Sequence, residues 1–248
     1  IVGSNIFNTL MILGVTALIS PLIITKSNLK RDIPLNIAVT AILIFLGMKN
    51  SLFGIGQDCL TRVDGVIMLA IFAWYLWRSF RTPSDDCEES SEDIKTFSGA
   101  VSACLIIAGL AALIGGGKMF VHSATAIAEY LHLSEKFIAI TVMAAGTSLP
   151  ELATCVVAAT KGHGQLALGN ILGSNLSNIL LILGGAAVIH PLSFAGMTPV
   201  DLGVVMIAAV FILSSAYTFR ANKLDRFEGG VLLAIEIGYM IWLFVNPA

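Results

Sequence analysis

The sequence predicts an all-α polytopic membrane protein. Three observations carry this. Hydrophobic residues make up 56% of the 248-residue chain and charged residues only 12%, against roughly 25% charged in soluble domains. Mean hydropathy is +0.89. The apolar residues arrive in continuous blocks of roughly 17–25, the helix length that crosses a hydrocarbon layer of about 30 Å at about 1.5 Å per residue. Continuous blocks, rather than alternation, exclude a transmembrane barrel.

Eight spans are expected, at roughly 6–25, 34–49, 64–80, 98–114, 136–160, 165–190, 199–219 and 228–246. After the fourth comes Gly115-Gly116-Gly117, then Lys118 to Leu131, which either extends that span past a glycine break or lies at the interface. The one strongly polar segment, RTPSDDCEESSEDIK from Arg81 to Lys95, is acidic and Ser-rich and reads as a solvated linker. It divides the chain into a first membrane region (1–80), a loop (81–97) and a second membrane region (98–248).

A net charge of −2 offers no basic surface for nucleic acid. Cys59, Cys87, Cys104 and Cys155 form no CxxC, which argues against a disulfide framework or a zinc site. Basic residues orient the spans. With the acidic loop cytoplasmic, that side carries Lys26, Lys30, Arg31, Arg78, Arg81, Lys95, Lys161, Arg220, Lys223 and Arg226, and the other side Lys49, Arg62, Lys118 and Lys136. Ten against four follows the positive-inside rule.

The chain repeats itself. IVGSNIFNTLMILGVTALISPL (Ile1–Leu22) aligns without gaps on ILGSNLSNILLILGGAAVIHPL (Ile171–Leu192), at a constant offset of 170. Gly3, Ser4, Asn5, Asn8, Leu13, Gly14, Pro21 and Leu22 all recur. The copies fall in the first and sixth spans, five apart, so they cross in opposite directions. Inverted repeats of secondary transporters place the substrate site at the midplane, where the repeats meet. The second copy is preceded by Ile140–Asn170, with its GTSLPE turn, and the first is not. The expectation is an N-terminally truncated chain with a matching turn and about two further spans upstream of Ile1.

The polar residues inside the apolar runs are the candidates for function. Pro150 leaves the Gly146 carbonyl without an amide partner if it lies within a helix, and opens the carbonyls of Ala144 to Thr147 to a cavity. Glu151 follows; a carboxylate at mid-membrane costs at least about 2.5–3.5 kcal/mol on insertion scales, so packing alone does not explain it. Ser148 shares its face, as Ser174 shares one with Asn178 and Ser4 with Asn8. Hydroxyl and amide oxygens suit hard cations such as Na⁺ and Ca²⁺. The plainer alternative is that Ser and Asn join helices by hydrogen bonds while Gly169 and Gly173 allow close packing. That account leaves the glutamate and the inverted copy unexplained. Glu236 reads as structural or cavity-facing, Glu129, Asp58 and Asp64 as interfacial. The four histidines form no ligand pair, and the Asn175 sequon lies within an apolar span.

GTSLPELAT (146–154) followed by ALGNILGSNLSNILLILG (167–184) resembles the second α-repeat of the calcium/cation antiporter superfamily, the sodium/calcium exchangers. GSNIFNTLMILG (3–14) resembles the end of the first α-repeat. The resemblance implies the inverted-repeat exchanger fold, with about eight of its ten helices present. It implies antiport of Na⁺ against Ca²⁺ by alternating access. Neither enzyme chemistry nor a cofactor is implied, since both ions are cargo. It implies Glu151 as the shared carboxylate, Ser148, Ser174 and the carbonyls of Ala144 and Thr147 as Na⁺ ligands, and Asn178, Ser4 and Asn8 as completing the cluster. Potassium-dependent members often carry Asp where this chain has Asn178, which argues against K⁺ co-transport. The short loop resembles prokaryotic members, and so implies a prokaryotic plasma membrane.

A Ca²⁺/H⁺ exchanger, with Glu151 titrating, is the alternative within transport. A cation channel or a non-transporting scaffold lies outside it. The truncated chain itself is expected not to transport, for want of a second carboxylate.

Overall fold

Two apolar helices, each with one wide turn wound into it, cross at the centre of the molecule. The computed structural model describes residues 1–54, 56–81, 98–194, 196–217 and 222–246. The acidic stretch from 82 to 97, with Cys87, lies outside the described residues, as does Arg220.

The helices are α1 (Val2–Ile19), α2 (Ile33–Gly47), α3 (Lys49–Phe53), α4 (Arg62–Arg81), α5 (Gly99–Tyr130), α6 (Lys136–Thr147), α7 (Leu149–Thr160), α8 (Gly164–Ile189), α9 (Pro199–Ser215) and α10 (Arg226–Val245). Five are long and apolar enough to span by themselves, or six if α6 and α7, bent by 50° at their junction, make one span. The 17 residues of α9 are shorter, and α2 follows a π-helical turn at Asn28–Asp32. All eight expected spans therefore have a helical counterpart. The expected break at Gly115–Gly117 is absent: α5 runs unbroken through 32 residues, because glycine weakens a helix by only about 1 kcal/mol and its apolar neighbours continue the pattern.

The duplication is visible as packing. Leu22–Ile23 (β1) pairs antiparallel with Lys223–Leu224 (β4), and Cys59–Leu60 (β2) with Leu192–Ser193 (β3). Thus the strand after α1 meets the strand before α10, and the strand after α8 meets the strand before α4. The helices obey the same rule. A Cβ on Gly229 of α10 would sit 2.9 Å from the Gly14 carbonyl of α1, and one on Gly65 of α4 would sit 2.6 Å from the Gly184 carbonyl of α8. Lipid tails are as apolar as leucine, so spans associate through close packing of this kind rather than through apolar burial. Caps are placed by sequence. Thr198 and Asp201 form a capping box on α9, Asp225 and Glu228 one on α10. Asp64 accepts from the Thr61 amide and pairs with Lys49 at 2.7 Å.

Candidate functional site

Ser4 and Asn8 lie one turn apart on α1, and Ser174 and Asn178 one turn apart on α8. Both helices widen into a π-helical turn immediately afterwards, at Asn8–Ile12 and Asn178–Leu183. Such turns add one residue and re-aim side chains, and they recur at functional sites. The two helices run antiparallel where they touch. Asn8 Nδ2 donates to Asn175 Oδ1 at 3.1 Å, and Asn178 Nδ2 to Asn5 Oδ1 at 2.9 Å. With the offset of 170, each bond is the image of the other, so the repeats are related by a two-fold at this point.

The third wall is the junction of α6 and α7. A prolyl kink within one helix does not occur. Instead α6 ends at Thr147, Ser148 takes φ −100° and ψ 4°, and Pro150 sits in the first turn of α7. A missing amide is harmless there, because the first amides of a helix have no partner within it. Ser148 is fully buried, and its hydroxyl lies 2.8 Å from that of Ser4. Glu151 is in the first turn of α7, where the helix dipole favours a carboxylate. Its Oε1 accepts from Ser174 Oγ at 3.1 Å, and Ser174 Oγ in turn accepts from Asn8 Nδ2 at 3.4 Å. Three chain segments thus supply one cluster of hydroxyl, amide and carboxylate oxygens. Two acceptors in it, Glu151 Oε2 and Asn8 Oδ1, are buried and meet no donor. The described residues hold no group of three or more His, Cys, Asp or Glu placed to bind a metal; the carboxylate that bonds into the oxygen-rich cluster is Glu151.

Four of the eight candidates join this network, Asn8, Glu151, Ser174 and, through Asn5, Asn178, and two more, Ser4 and Ser148, bond to each other as a separate pair. Ala144 and Thr147 stay beside it. The Ala144 carbonyl accepts from Thr147 Oγ1 at 3.0 Å and from the Ser148 amide at 3.1 Å. Thr147 is exposed on the other side of α6, lining a cavity of about 790 Å³ against Val121, Thr125 and Glu129 of α5. Asn5, Thr9 and Asn175 are members that sequence reasoning passed over. Asn175 Nδ2 donates to Thr9 Oγ1 at 2.8 Å, and its carbonyl accepts from Asn5 Nδ2 at 3.4 Å. Their signal was the exact recurrence of Asn5 as Asn175. Glu236 is buried on α10, and its Oε2 meets no donor.

Antiparallel copies joined at a broken helix and a cluster of bare oxygens define a membrane transporter for cations. The chain belongs to the sodium/calcium exchanger family: the family model described as sodium/calcium exchanger protein matches residues 1–81 and 101–245. It is 35% identical to CaxA of Alkalimonas amylolytica over 251 residues, covering 98% of this chain and 76% of that protein. It is 39% identical to the sodium/calcium exchanger MaX1 of Methanosarcina acetivorans over 144 residues, 56% of this chain and 39% of that one. Among solved structures it resembles the sodium-calcium exchanger NCX_Mj, with a TM-score of 0.75 and 30% identity over 97% of this chain and 74% of that one. The molecule is therefore an integral, multi-pass membrane exchanger and not an enzyme. The family's ions are cargo, and it uses no cofactor.

Proposed function

We propose that this protein exchanges Na⁺ for Ca²⁺ by alternating access, with both ions competing for the cluster around Glu151. The observation that carries the reading is the pair of buried, donor-free oxygens, Glu151 Oε2 and Asn8 Oδ1, bridged through Ser174. An unmet buried acceptor costs about 1–3 kcal/mol, and more when charged; a hard cation bound between the two relieves both. Ca²⁺ takes six to eight oxygens at about 2.3–2.6 Å, so Ser4, Ser148 and Ser174 serve as neutral donors beside one carboxylate. Na⁺ draws in addition on the Ala144 carbonyl and Thr147. For that, the Thr147 hydroxyl leaves the Ala144 carbonyl and turns from the α5 cavity towards the cluster. One site that holds either ion but not both is what antiport requires. Each ion shifts the protein between inward- and outward-open states only by its differential affinity for them.

In this reading the halves 1–80 and 98–248 move against each other, with the loop 81–97 in the cytoplasm of a prokaryotic cell. The similarity to MaX1, named a sodium/calcium exchanger, favours Na⁺ as the counter-ion. The test is uptake of radiolabelled Ca²⁺, driven by an outward Na⁺ gradient, into proteoliposomes of the full-length protein, with residues 1–248 alone, expected from the sequence not to transport, run beside it. Uptake that follows a pH gradient and ignores Na⁺ makes the protein a Ca²⁺/H⁺ exchanger instead.

A further inference from the structure

Away from Glu151, three helices meet at a buried ion pair. Asp201, in the first turn of α9, is fully buried. Its Oδ2 accepts from the Thr198 amide at 2.7 Å, and its Oδ1 from the Tyr239 hydroxyl of α10 at 2.8 Å. Lys136 Nζ, at the start of α6, lies 3.0 Å from Oδ2, close enough for an ion pair but too poorly aligned for a hydrogen bond. Little of the lysine is exposed, so its charge has exchanged water for this one carboxylate. Next to it, the ring of Phe137 meets that of Phe244 of α10 edge-on, with centroids 6.1 Å apart.

These contacts fasten one end of α6 to α9 and α10. Further along, α6 leans on α1: a Cβ on Gly3 would come within 2.9 Å of Ile140 Cα, in the π-helical turn Ala139–Met143. Beyond that turn come Ala144 and Thr147, and then the break at Ser148. The latched segment thus carries the two candidate Na⁺ ligands that stand beside the cluster. Glu151 lies past the 50° bend, on α7, and is held by Ser174 of α8.

We propose that Lys136, Asp201 and Tyr239 form a latch that positions α6 for Na⁺, and that loosening it weakens Na⁺ binding while leaving Ca²⁺ binding largely unchanged. The inference rests on the exchange reading above and adds positioning residues to it. Removing the lysine leaves the Asp201 charge without its counter-charge in a dry site, and the start of α6 then loses the ion pair that holds it against α9. The bend at Ser148 keeps that loosening from reaching Glu151.

The test uses the full-length protein in proteoliposomes, with Lys136→Gln, the charge-keeping Lys136→Arg, and Tyr239→Phe. Lys136→Gln is expected to raise the half-saturating Na⁺ concentration about tenfold, with the half-saturating Ca²⁺ concentration and the maximal rate near wild type. Lys136→Arg restores Na⁺ affinity. Tyr239→Phe, which keeps its volume and leaves the ion pair standing, shifts Na⁺ affinity in the same direction by a smaller factor and stands in if Lys136→Gln does not fold. Hydrogen exchange supplies a readout independent of transport: Na⁺ protects the amides of 139–148 in wild type and in Lys136→Arg, but not in Lys136→Gln. Equal losses for Na⁺ and Ca²⁺, or no change in Na⁺ affinity and protection, overturn the latch. If wild type itself does not exchange Na⁺ for Ca²⁺, the functional reading fails, and the latch is decided by the protection pattern alone.

Discussion

Asn8 and Asn175 join the two halves of the molecule: the amide of one donates to the carbonyl oxygen of the other at 3.1 Å, and the symmetry-related pair, Asn178 and Asn5, repeats the bond at 2.9 Å. Asn175 also donates to Thr9, so it serves three partners with one side chain and one carbonyl. Replacing Asn175 with Ala leaves Asn8 and Thr9 without it in a buried site. A loss of about 2 kcal/mol is expected, read as a lowered melting temperature of the purified protein in detergent. Asn170→Ala, whose side chain reaches the exposed Thr154 and, at 3.5 Å, the sulfur of the buried Cys155, is expected to cost less.

Glu151→Gln keeps the hydrogen bond from Ser174 within reach but removes the carboxylate that bonds into the cluster. Exchange is expected to disappear while the melting temperature stays at or above the wild-type value. Na⁺-dependent Ca²⁺ uptake at the wild-type rate by this variant would remove Glu151 from the ion site.

The glycine contacts predict a contrast between neighbours. A Cβ on Gly65 meets the Gly184 carbonyl at 2.6 Å, whereas one on Gly185 meets nothing within 4 Å. Gly65→Ala forces α4 off α8 and should destabilise by about 1–3 kcal/mol. Gly185→Ala should be neutral or stabilising by up to about 1 kcal/mol, since alanine is the better helix former. Thermal unfolding of both variants checks the pair.

Pro150 opens α7 rather than kinking a longer helix. Pro150→Ala should therefore change stability by less than about 1 kcal/mol, against the roughly 3 kcal/mol of a proline inside a helix. A large stabilisation, with gained helical signal in circular dichroism, would show that α6 and α7 are one helix held bent by its proline.

Asp58 lies in the loop between α3 and β2, only partly buried. The Ser51 hydroxyl, with the Ser51 and Asn50 amides, holds its carboxyl below the usual range. The sign follows from linkage: a lowered pKa contributes stability above the pKa of the unfolded chain, and that stability is lost as the pH falls through the folded value. Asp58→Asn should narrow the difference in melting temperature between neutral and strongly acidic pH, and leave the alkaline side unchanged.

Much of this architecture was legible in the sequence because membrane spans and duplications leave coarse marks. Apolar length alone located every long helix, though not the short α3 or the division of 136–160 into α6 and α7, and the offset between Ile1 and Ile171 gave the antiparallel crossing. Proline and glycine were harder, since their effect depends on position within a helix. Pro150 looked like a kink because the apolar run continues through it, yet Ser148 had already ended the helix. Gly115–Gly117 looked like a break, yet no turn chemistry follows. Within the cluster, residue type and spacing picked out Ser174, which bonds to Glu151, and Asn8, which bonds to Ser174. They did not identify Asn5 and Asn175, whose partners are 170 residues away and whose role is to join the halves. Nor could they show that Thr147 turns its hydroxyl back on Ala144, because a rotamer leaves no mark on spacing.

The widened turns at Asn8–Ile12 and Asn178–Leu183 begin at equivalent residues of the two copies. Each inserts one residue into a turn, and two separate insertions landing on the same register would be a coincidence. A common ancestor explains them better: the extra residue entered a half-sized gene, whose product must have paired with an oppositely oriented copy of itself, and doubling of that gene fixed the irregularity in both descendants. On this account the distortion at the crossing of α1 and α8 is older than the single chain that now contains it.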